Sequence, residues 1–237
     1  MVLEAIRIAL RTMFANKLRT LLTVLGNIVA VAALVLVVAF TQGMNAEISR
    51  AILARGADTF AVERWGPITS DEEWDQVRTR PPVTIEDAEA IRRGATLAAH
   101  VLLQWNLSDD ASSARRTVTA VSVEARSSEY VNFLEETLEV GRHFTEAEDR
   151  RLVPVAILGS EVAEALFPGE PALGRVVRVG GKHFDVIGVM KSRGAILGQS
   201  QDKYVIVPFG TACQAWGRPD DIEIAVKPTL PSLMDAC

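Results

Sequence analysis

A run of twenty uncharged residues near the N-terminus limits what this chain can become more than any other feature. Residues 21–40 read LLTVLGNIVAVAALVLVVAF, and Thr23 and Asn27 are the strongly polar residues among them. A helix rises about 1.5 Å per residue, so about 20 residues cover roughly the 30 Å hydrocarbon core of a bilayer. The run therefore predicts a transmembrane helix.

Two other interpretations of an apolar run fit this one poorly. A buried core helix of a globular protein is seldom apolar on all sides over such a length. A signal peptide has an apolar stretch of about 7–15 residues, followed by small residues at a cleavage site. Here the stretch is longer, and a basic segment that contains Arg7, Arg11, Lys17 and Arg19 precedes it.

The basic residues beside the span predict its orientation, because Lys and Arg are retained on the cytoplasmic side of a membrane helix. The first basic residue after the span is Arg50. We therefore expect a cytoplasmic segment at 1–20, the transmembrane helix at 21–43 and an extracytoplasmic domain at 44–237. Apolar residues at helical spacing in the first segment predict either an amphipathic helix at the membrane interface or a continuation of the transmembrane helix.

Two pairs of small residues lie four positions apart in the predicted span. Gly26 and Ala30 form one such pair, and Ala39 and Gly43 form another. This spacing lets two membrane helices approach closely, and Asn27 would favour a hydrogen-bond partner within the bilayer. Gly26, Asn27, Ala30 and Gly43 are thus candidates for helix packing, with chance spacing of common small residues as the alternative.

Strand and helix patterns alternate after the span and predict an α+β extracytoplasmic domain, of mixed strands and short helices, on one N-terminal transmembrane α-helix. The first helix should continue to Arg55 and stop at Gly56, and Thr84 with Asp87 predicts a capping box for a helix ending near Gly94. Another helix is expected at 160–167. Strands are expected at 59–64, 98–107, 115–123, 153–158, 175–179, 182–190, 204–208 and 221–226, with loops at 66–82 and 108–113 and a hairpin turn at Gly180-Gly181.

No motif for catalysis, a cofactor or a metal emerges from the residues. The strand and turn that end at Gly159 offer one glycine where a dinucleotide fingerprint needs three, and no stretch has the pattern of a phosphate-binding loop. The acidic residues at 71–75 lack the glycine of a calcium loop, and His100, His143 and His183 are expected at the surface or at strand edges. Cys213 and Cys237 leave a disulfide open. The net charge of −5 argues against a nucleic-acid surface.

Four segments together resemble the permease subunits of the MacB, lipoprotein-releasing and FtsX-like group of ABC transporters. They are NKLRTLLTVLG at 16–26, the turn Gly141-Arg142-His143-Phe144 with Thr145 and Asp149, the succession from VAILGS at 155–160 through LFPG at 166–169 to FDVIGV at 184–189, and VIVP at 205–208. The residues that carry the resemblance are of structural types: Gly for turns, Leu and Phe for the core and Pro for a stop.

The resemblance implies a protein of the cell inner membrane. Its periplasmic core domain is inserted between the first transmembrane helix and three later ones. It implies a homodimer or a heterodimer with another permease, an ATP-binding subunit or domain as partner, and in some members a periplasmic adaptor protein. The expected function is to couple ATP hydrolysis by that partner to movement of the outer domain, for export or extraction of a substrate. This chain should not itself hydrolyse ATP.

The sequence departs from the family pattern after the outer domain. No second apolar run follows Phe40, and a helix-start pattern at 231–235 stands just before the final residue. We therefore expect a piece of a longer permease. The alternatives are a single-pass, membrane-anchored binding or adaptor module and, less in keeping with the residues, a membrane-anchored enzyme.

Overall fold

The computed structural model describes residues 4, 17–53, 59–65, 79–133, 137–196 and 199–230. The chain divides into two compact units, Met1–Ala51 and Ile52–Cys237. Several expectations lie outside the described residues. They concern the segment before Lys17 apart from Glu4, the helix stop at Gly56, most of the loop at 66–82, the helix start at 231–235 and Cys237.

Helix α1 spans Lys17–Leu53 and is 37 residues long. It contains a 20-residue apolar stretch, Val24–Gly43, that is long enough to cross a membrane and of which nothing is buried. Such exposure would be very unfavourable in water, because burying one large apolar side chain stabilises a protein by about 1.5–3 kcal/mol and an exposed one contributes none of this. The exposed side chains therefore fit a hydrocarbon solvent.

The second unit, which we call the ring domain, is built from short helices and eleven strands in its described part. Its helices are α2 (Ile85–Gly94), a 3-10 helix (Ser128–Asn132), α3 (Glu146–Arg150), α4 (Ser160–Leu166) and α5 (Phe209–Trp216). Its strands are β1 (Phe60–Val62), β2 (Ala98–Ser112), β3 (Thr117–Arg126), β4 (Leu138–Gly141), β5 (Val155–Leu158), β6 (Val176–Val179), β7 (Lys182–Met190), β8 (Ala195–Ile196), β9 (Gln199–Ser200), β10 (Tyr204–Pro208) and β11 (Glu223–Pro228).

Six of the strands close into a ring through the pairings β2–β3, β3–β10, β10–β5, β5–β7, β7–β6 and β6–β2. The β3–β10 and β5–β7 pairs are parallel, and the other four are antiparallel. Strands β11 and β1 extend the sheet from the first half of β2, and β4 extends it from the second half of β7. A separate hairpin is formed by β8 and β9.

Alternate side chains of the central strands fill two hydrophobic cores, one on each face of the sheet. Ala156 and Leu158 of β5 belong to the larger core with residues from α2, α4 and α5. Val155 and Ile157 point the other way, into a smaller core that contains Tyr130 and Phe144. Burial on both faces explains why β5 and β10 read as continuous apolar runs rather than alternating ones.

The local sequence signals are confirmed where they specify a turn or a cap. Thr84 and Asp87 form the predicted capping box of α2, which ends at Gly94. Gly180 and Gly181 have φ of 55° and 78° and join β6 to β7 as the predicted hairpin. The mixed α/β fold class is confirmed as well.

The predicted loop at 108–113 is wrong, because β2 continues to Ser112 and the turn follows it. The polar side chains in this stretch bond within the domain instead of forming a turn. Asp109 accepts a hydrogen bond from Trp216 Nε1 at 2.9 Å, and Asp110 accepts one from the backbone N–H of Ala120 at 2.9 Å beside a β-bulge. Pairing with β6 at Ala111 and Ser112 then fixes the strand's end.

Candidate functional site

The outer surface of α1 is the first candidate site. Its polar groups are few, and Thr41 donates its hydroxyl to the Val37 carbonyl at 2.8 Å, which satisfies that group within the helix. The packing candidates Gly26, Asn27, Ala30 and Gly43 all lie on exposed positions of α1. A Cβ added at Gly26 or Gly43 would meet nothing within 4 Å. Both glycines thus leave room for a neighbouring helix, and their role in packing stays a prediction.

The turn and helix from Gly141 to Arg150, which we call the 141–150 element, connect three parts of the ring domain. Gly141 has φ of 93° and lies against the backbone of β7, where a Cβ would come within 2.3 Å of the Ile187 carbonyl oxygen. The sharp turn that glycine permits brings the following residues over the end of the sheet. Phe144 then enters the smaller core, stacked on Tyr130 with ring centroids 4.7 Å apart.

His143, expected at the surface or at a strand edge, follows the end of the edge strand β4. It is partly buried, and its Nδ1 lies 2.6 Å from the Tyr130 hydroxyl. Burial lowers the pKa of His143 and raises the pKa of Tyr130. Both groups are therefore neutral near pH 7. The hydrogen bond between the His143 imidazole and the Tyr130 phenol is structural, and it anchors the 141–150 element to the 3-10 helix.

Asp149 supplies the N-terminal cap of a helix distant from it in sequence. Its Oδ1 accepts a hydrogen bond from the Gly210 N–H at 2.8 Å, at the start of α5. The residue that precedes α5, Pro208, makes no side-chain cap of its own. Burial raises the pKa of Asp149, and the Gly210 N–H opposes that rise. The carboxylate at this end of the helix also complements the helix dipole.

Arg142 and Glu148 form a two-pronged ion pair across the 141–150 element, with N–O distances of 2.8 and 2.7 Å. Hydrogen bonds from the Arg142 guanidinium lower the pKa of Glu148 from its ordinary 4.5 to about 2, against the opposing effect of burial. Because the folded pKa is the lower one, the pair stabilises the domain above about pH 4.5, and this stabilisation is lost as the pH falls toward 2.

We expect Arg142→Gln to lower the free energy of unfolding by about 1 kcal/mol at pH 7, since half of the Arg142 side chain is exposed. The difference from wild type should shrink between pH 4.5 and pH 2. Urea unfolding at several pH values, followed by tryptophan fluorescence, measures it. Arg150→Gln removes the more exposed pair with Glu146 and is the control; an equal loss in both variants would contradict the prediction.

A second junction joins the start of α4 to the segment that follows β7. Asp202 is 4% exposed, and it accepts hydrogen bonds from the Ser192 hydroxyl at 2.5 Å and the backbone N–H groups of Arg193 and Gly194 at 2.8 and 3.1 Å. Burial alone would raise the pKa of Asp202, but these bonds outweigh it and lower the pKa below its ordinary value. Gly159 lies against the same residue, where a Cβ would come within 2.2 Å of the Asp202 carbonyl oxygen.

A cleft of about 160 Å³ opens where β11 separates from β2, and sequence reasoning missed it. Its walls come from the residues after β1, from the middle of β2 and from the start of β11. The signal for this cleft in the sequence was two tryptophans and several acidic residues. These side chains come from three segments that are far apart in the sequence. We call it the tryptophan cleft; its lining includes Glu63, Arg64, Trp65, Trp105, Asp221 and Glu223.

We next consider metal-binding and reactive side chains in the described part of the chain. No group of three or more His, Cys, Asp or Glu side chains there could hold a metal ion. Cys213 is a half-buried free thiol, and burial raises its pKa. His100 is hydrogen-bonded to Asn132 at 3.3 Å and lies 3.5 Å from Glu129, and His183 is exposed on β7.

The known proteins that resemble this chain agree on one family. Residues 20–236 match the family model described as the MacB-like periplasmic core domain. The macrolide export ATP-binding/permease protein MacB of Azoarcus sp. (strain BH72) is 34% identical over 212 residues, which are 88% of this chain and 31% of that protein. The pyoverdine export ATP-binding/permease protein PvdT of Pseudomonas aeruginosa is 25% identical over 222 residues, 89% of this chain and 30% of that protein.

Solved structures support the fold. The periplasmic region of MacB from Actinobacillus actinomycetemcomitans superposes with a TM-score of 0.61 at 20% identity, over 75% of this chain and 77% of that one. The extracellular domain of the noncanonic ABC-type transporter YknZ from Gram-positive bacteria gives a TM-score of 0.59 at 22% identity, over 75% and 87%.

The ring domain is therefore of the type found in the outer domains of ABC-transporter permeases. In the described part of the chain, one helix able to span a membrane precedes it. The chain belongs to the MacB-like periplasmic core domain family. It spans about a third of the length of the curated relatives it matches.

Proposed function

We propose that this chain is the N-terminal part of a permease in an ABC exporter, whose outer domain moves in response to ATP hydrolysis by an ATP-binding subunit or domain. In this arrangement α1 crosses the inner membrane with its N-terminus in the cytoplasm, and the ring domain lies in the periplasm. The domain boundaries are those expected from the sequence, with the span at 21–43. The names of the relatives support export, and because they differ in substrate they select none here.

The length and continuity of α1 carry this proposal. Its apolar stretch ends at Gly43, but the helix continues without interruption to Leu53. Ten further helical residues extend about 15 Å, so the helix leaves the bilayer as a rigid segment rather than as a flexible tether. A rigid segment can transmit displacement away from the membrane over this distance, which a flexible segment would absorb.

The packing face on α1 supports a partner within the membrane. An exposed Gly26 and Ala30 on one side of the helix would let another helix approach closely, and Asn27 could bond across that contact. We therefore propose that a second permease copy, or a related permease, packs here. The 141–150 element and the Asp202 junction would keep the ring domain in one piece while it moves.

Interrupting α1 just outside the membrane tests the coupling. Proline inside a helix costs about 3 kcal/mol and kinks it, so Glu47→Pro should separate the span from the ring domain mechanically. Glu47→Ala is the matched control. The longer permease that contains this chain is reconstituted with its ATP-binding component, and hydrogen exchange of the ring domain is compared with and without a non-hydrolysable ATP analogue.

We expect the analogue to change exchange in the ring domain of the wild type and of Glu47→Ala, and not in Glu47→Pro, while all three hydrolyse ATP. A nucleotide effect that survives Glu47→Pro would refute transmission through α1. If no ATP-binding component co-purifies with the protein, the permease proposal fails and an anchored binding or adaptor module takes its place.

A further inference from the structure

Strand β2 has an edge that its partners leave uncovered. On one side it pairs with β3 from Gln104 to Ser112. On the other side β11 pairs with it only as far as Gln104, and β6 pairs with it only from Ala111. Within the described part of the chain, no strand covers residues 105–109 on that side. Asn106 and Ser108 have exposed side chains, so the face of β2 that they share is open to solvent as well.

Strand β7 undergoes a similar change of partners and shows what a closed edge looks like. Along β7, the pairing with β6 stops at Asp185 and the pairing with β4 starts at Gly188. The two residues between them are bonded to loops: Val186 exchanges backbone hydrogen bonds with Arg175 and Gly174, and the Ile187 carbonyl accepts one from Arg142. No described loop makes such backbone bonds to residues 105–109 of β2.

The open edge also lacks the residues that usually protect one. Natural edge strands are blocked by Lys, Pro or a bulge that turns the edge away from partners. Residues 105–109 read WNLSD and contain neither Lys nor Pro. The carboxylate of Asp109 is bonded to Trp216, and the bulge lies beyond it, between Asp109 and Ala111. Five residues of edge are therefore available for pairing.

The tryptophan cleft lies at the start of this edge and has the chemistry of a pocket for a cation. Three carboxylates, from Glu63, Asp221 and Glu223, line it against one guanidinium, from Arg64. That guanidinium lies 4.7 Å from the centroid of the Trp65 ring, over one face of it. A volume of about 160 Å³ admits one large side chain and not a whole drug-sized molecule.

We propose that an extended peptide segment of a protein partner adds to β2 along residues 105–109 and places an Arg or Lys side chain in the tryptophan cleft. Backbone pairing would supply affinity, and the cleft would supply selectivity for the basic side chain. The open strand edge favours a peptide over a small organic cation, because a small cation would use the cleft alone. This inference does not depend on coupling to an ATPase.

A synthetic peptide tests the proposal on the full chain in detergent micelles. The probe is the acetylated and amidated peptide Thr-Val-Thr-Arg-Thr-Val-Thr with a fluorescent label, and binding is followed by anisotropy. One comparison peptide carries citrulline in place of Arg, which keeps the shape and removes the charge. Another is N-methylated at alternate residues, which blocks strand pairing and keeps the guanidinium. Acetyl-arginine amide represents a small cation.

We expect saturable binding of the Arg peptide, about tenfold weaker binding of the citrulline peptide and loss of binding on N-methylation. Glu63→Arg should weaken binding of the Arg peptide about tenfold, because it places a like charge at the rim of the tryptophan cleft. Glu164→Arg, on the exposed face of α4, should leave binding unchanged. Thermal unfolding of both variants checks that they fold like the wild type.

Four results would overturn the proposal. They are an absence of saturable binding, equal affinity for the Arg and citrulline peptides, equal effects of Glu63→Arg and Glu164→Arg, and competition by acetyl-arginine amide as strong as that by the peptide. The last result would assign the cleft to a small cation.

Discussion

Replacing Gly141 with alanine should destabilise the ring domain by about 3 kcal/mol or more, one of the two largest effects we expect from a single substitution. The added Cβ would lie 2.3 Å from the Ile187 carbonyl oxygen and 2.6 Å from the Gly188 Cα. Both are backbone atoms of β7, so neither can rotate away as a flexible side chain would. The β4–β7 pairing, or the turn into the 141–150 element, must shift instead.

Gly217→Ala separates this clash from backbone strain. Gly217 has φ of 92°, against 93° for Gly141, but a Cβ there would meet nothing within 4 Å. Its ψ is 170°, so it adopts an extended positive-φ conformation that is essentially restricted to glycine, and we expect the strain alone to cost about 1–3 kcal/mol. Urea unfolding followed by tryptophan fluorescence reports the ring domain, because α1 contains no tryptophan. Equal losses in the two variants would show that contact with β7 contributes nothing.

Replacing Asp202 with alanine should cost about 3 kcal/mol at pH 7, the second large effect. The substitution removes the acceptor for the Ser192 hydroxyl and for the backbone N–H groups of Arg193 and Gly194. It does so at a site that is almost fully buried, where water cannot replace the lost partners. The segment after β7 should therefore detach first.

The pH dependence and a control make this prediction specific. Because the pKa of Asp202 is lowered on folding, the part of its contribution that depends on ionisation is complete above the ordinary value of 3.8 and is lost as the pH falls through the folded pKa. The difference in stability between wild type and variant should therefore shrink in acid. Asp220→Ala removes an exposed carboxylate and should change stability little. A loss in Asp202→Ala that persists unchanged in acid would point to packing instead.

Local signals in the sequence were sufficient where neighbouring residues decide the structure. Thr84 and Asp87 cap α2 within one turn, and Gly180 with Gly181 makes a hairpin whose geometry needs positive φ at both positions. The uninterrupted apolar run predicted α1 for the same reason. The family resemblance added what local patterns lack, because it tied distant segments into one domain.

Distant contacts decided the rest, which the sequence could not reveal. Helix α5 was not predicted because its cap is Asp149, far from it in sequence. The extension of β2 was hidden by turn-forming residues whose side chains find partners in α5 and β3. The tryptophan cleft was missed because β1, β2 and β11 meet only in the folded sheet.

The length of β2 has a mechanical consequence. Fifteen extended residues make a strand of about 50 Å that belongs both to the sheet extension with β11 and to the ring with β3 and β6. A pull along this strand loads its antiparallel hydrogen bonds to β3 side by side, in shear, so that many must break together. A pull at right angles to the short edge strand β4 instead breaks its bonds to β7 one at a time. The domain is stiff along β2 and weak at β4.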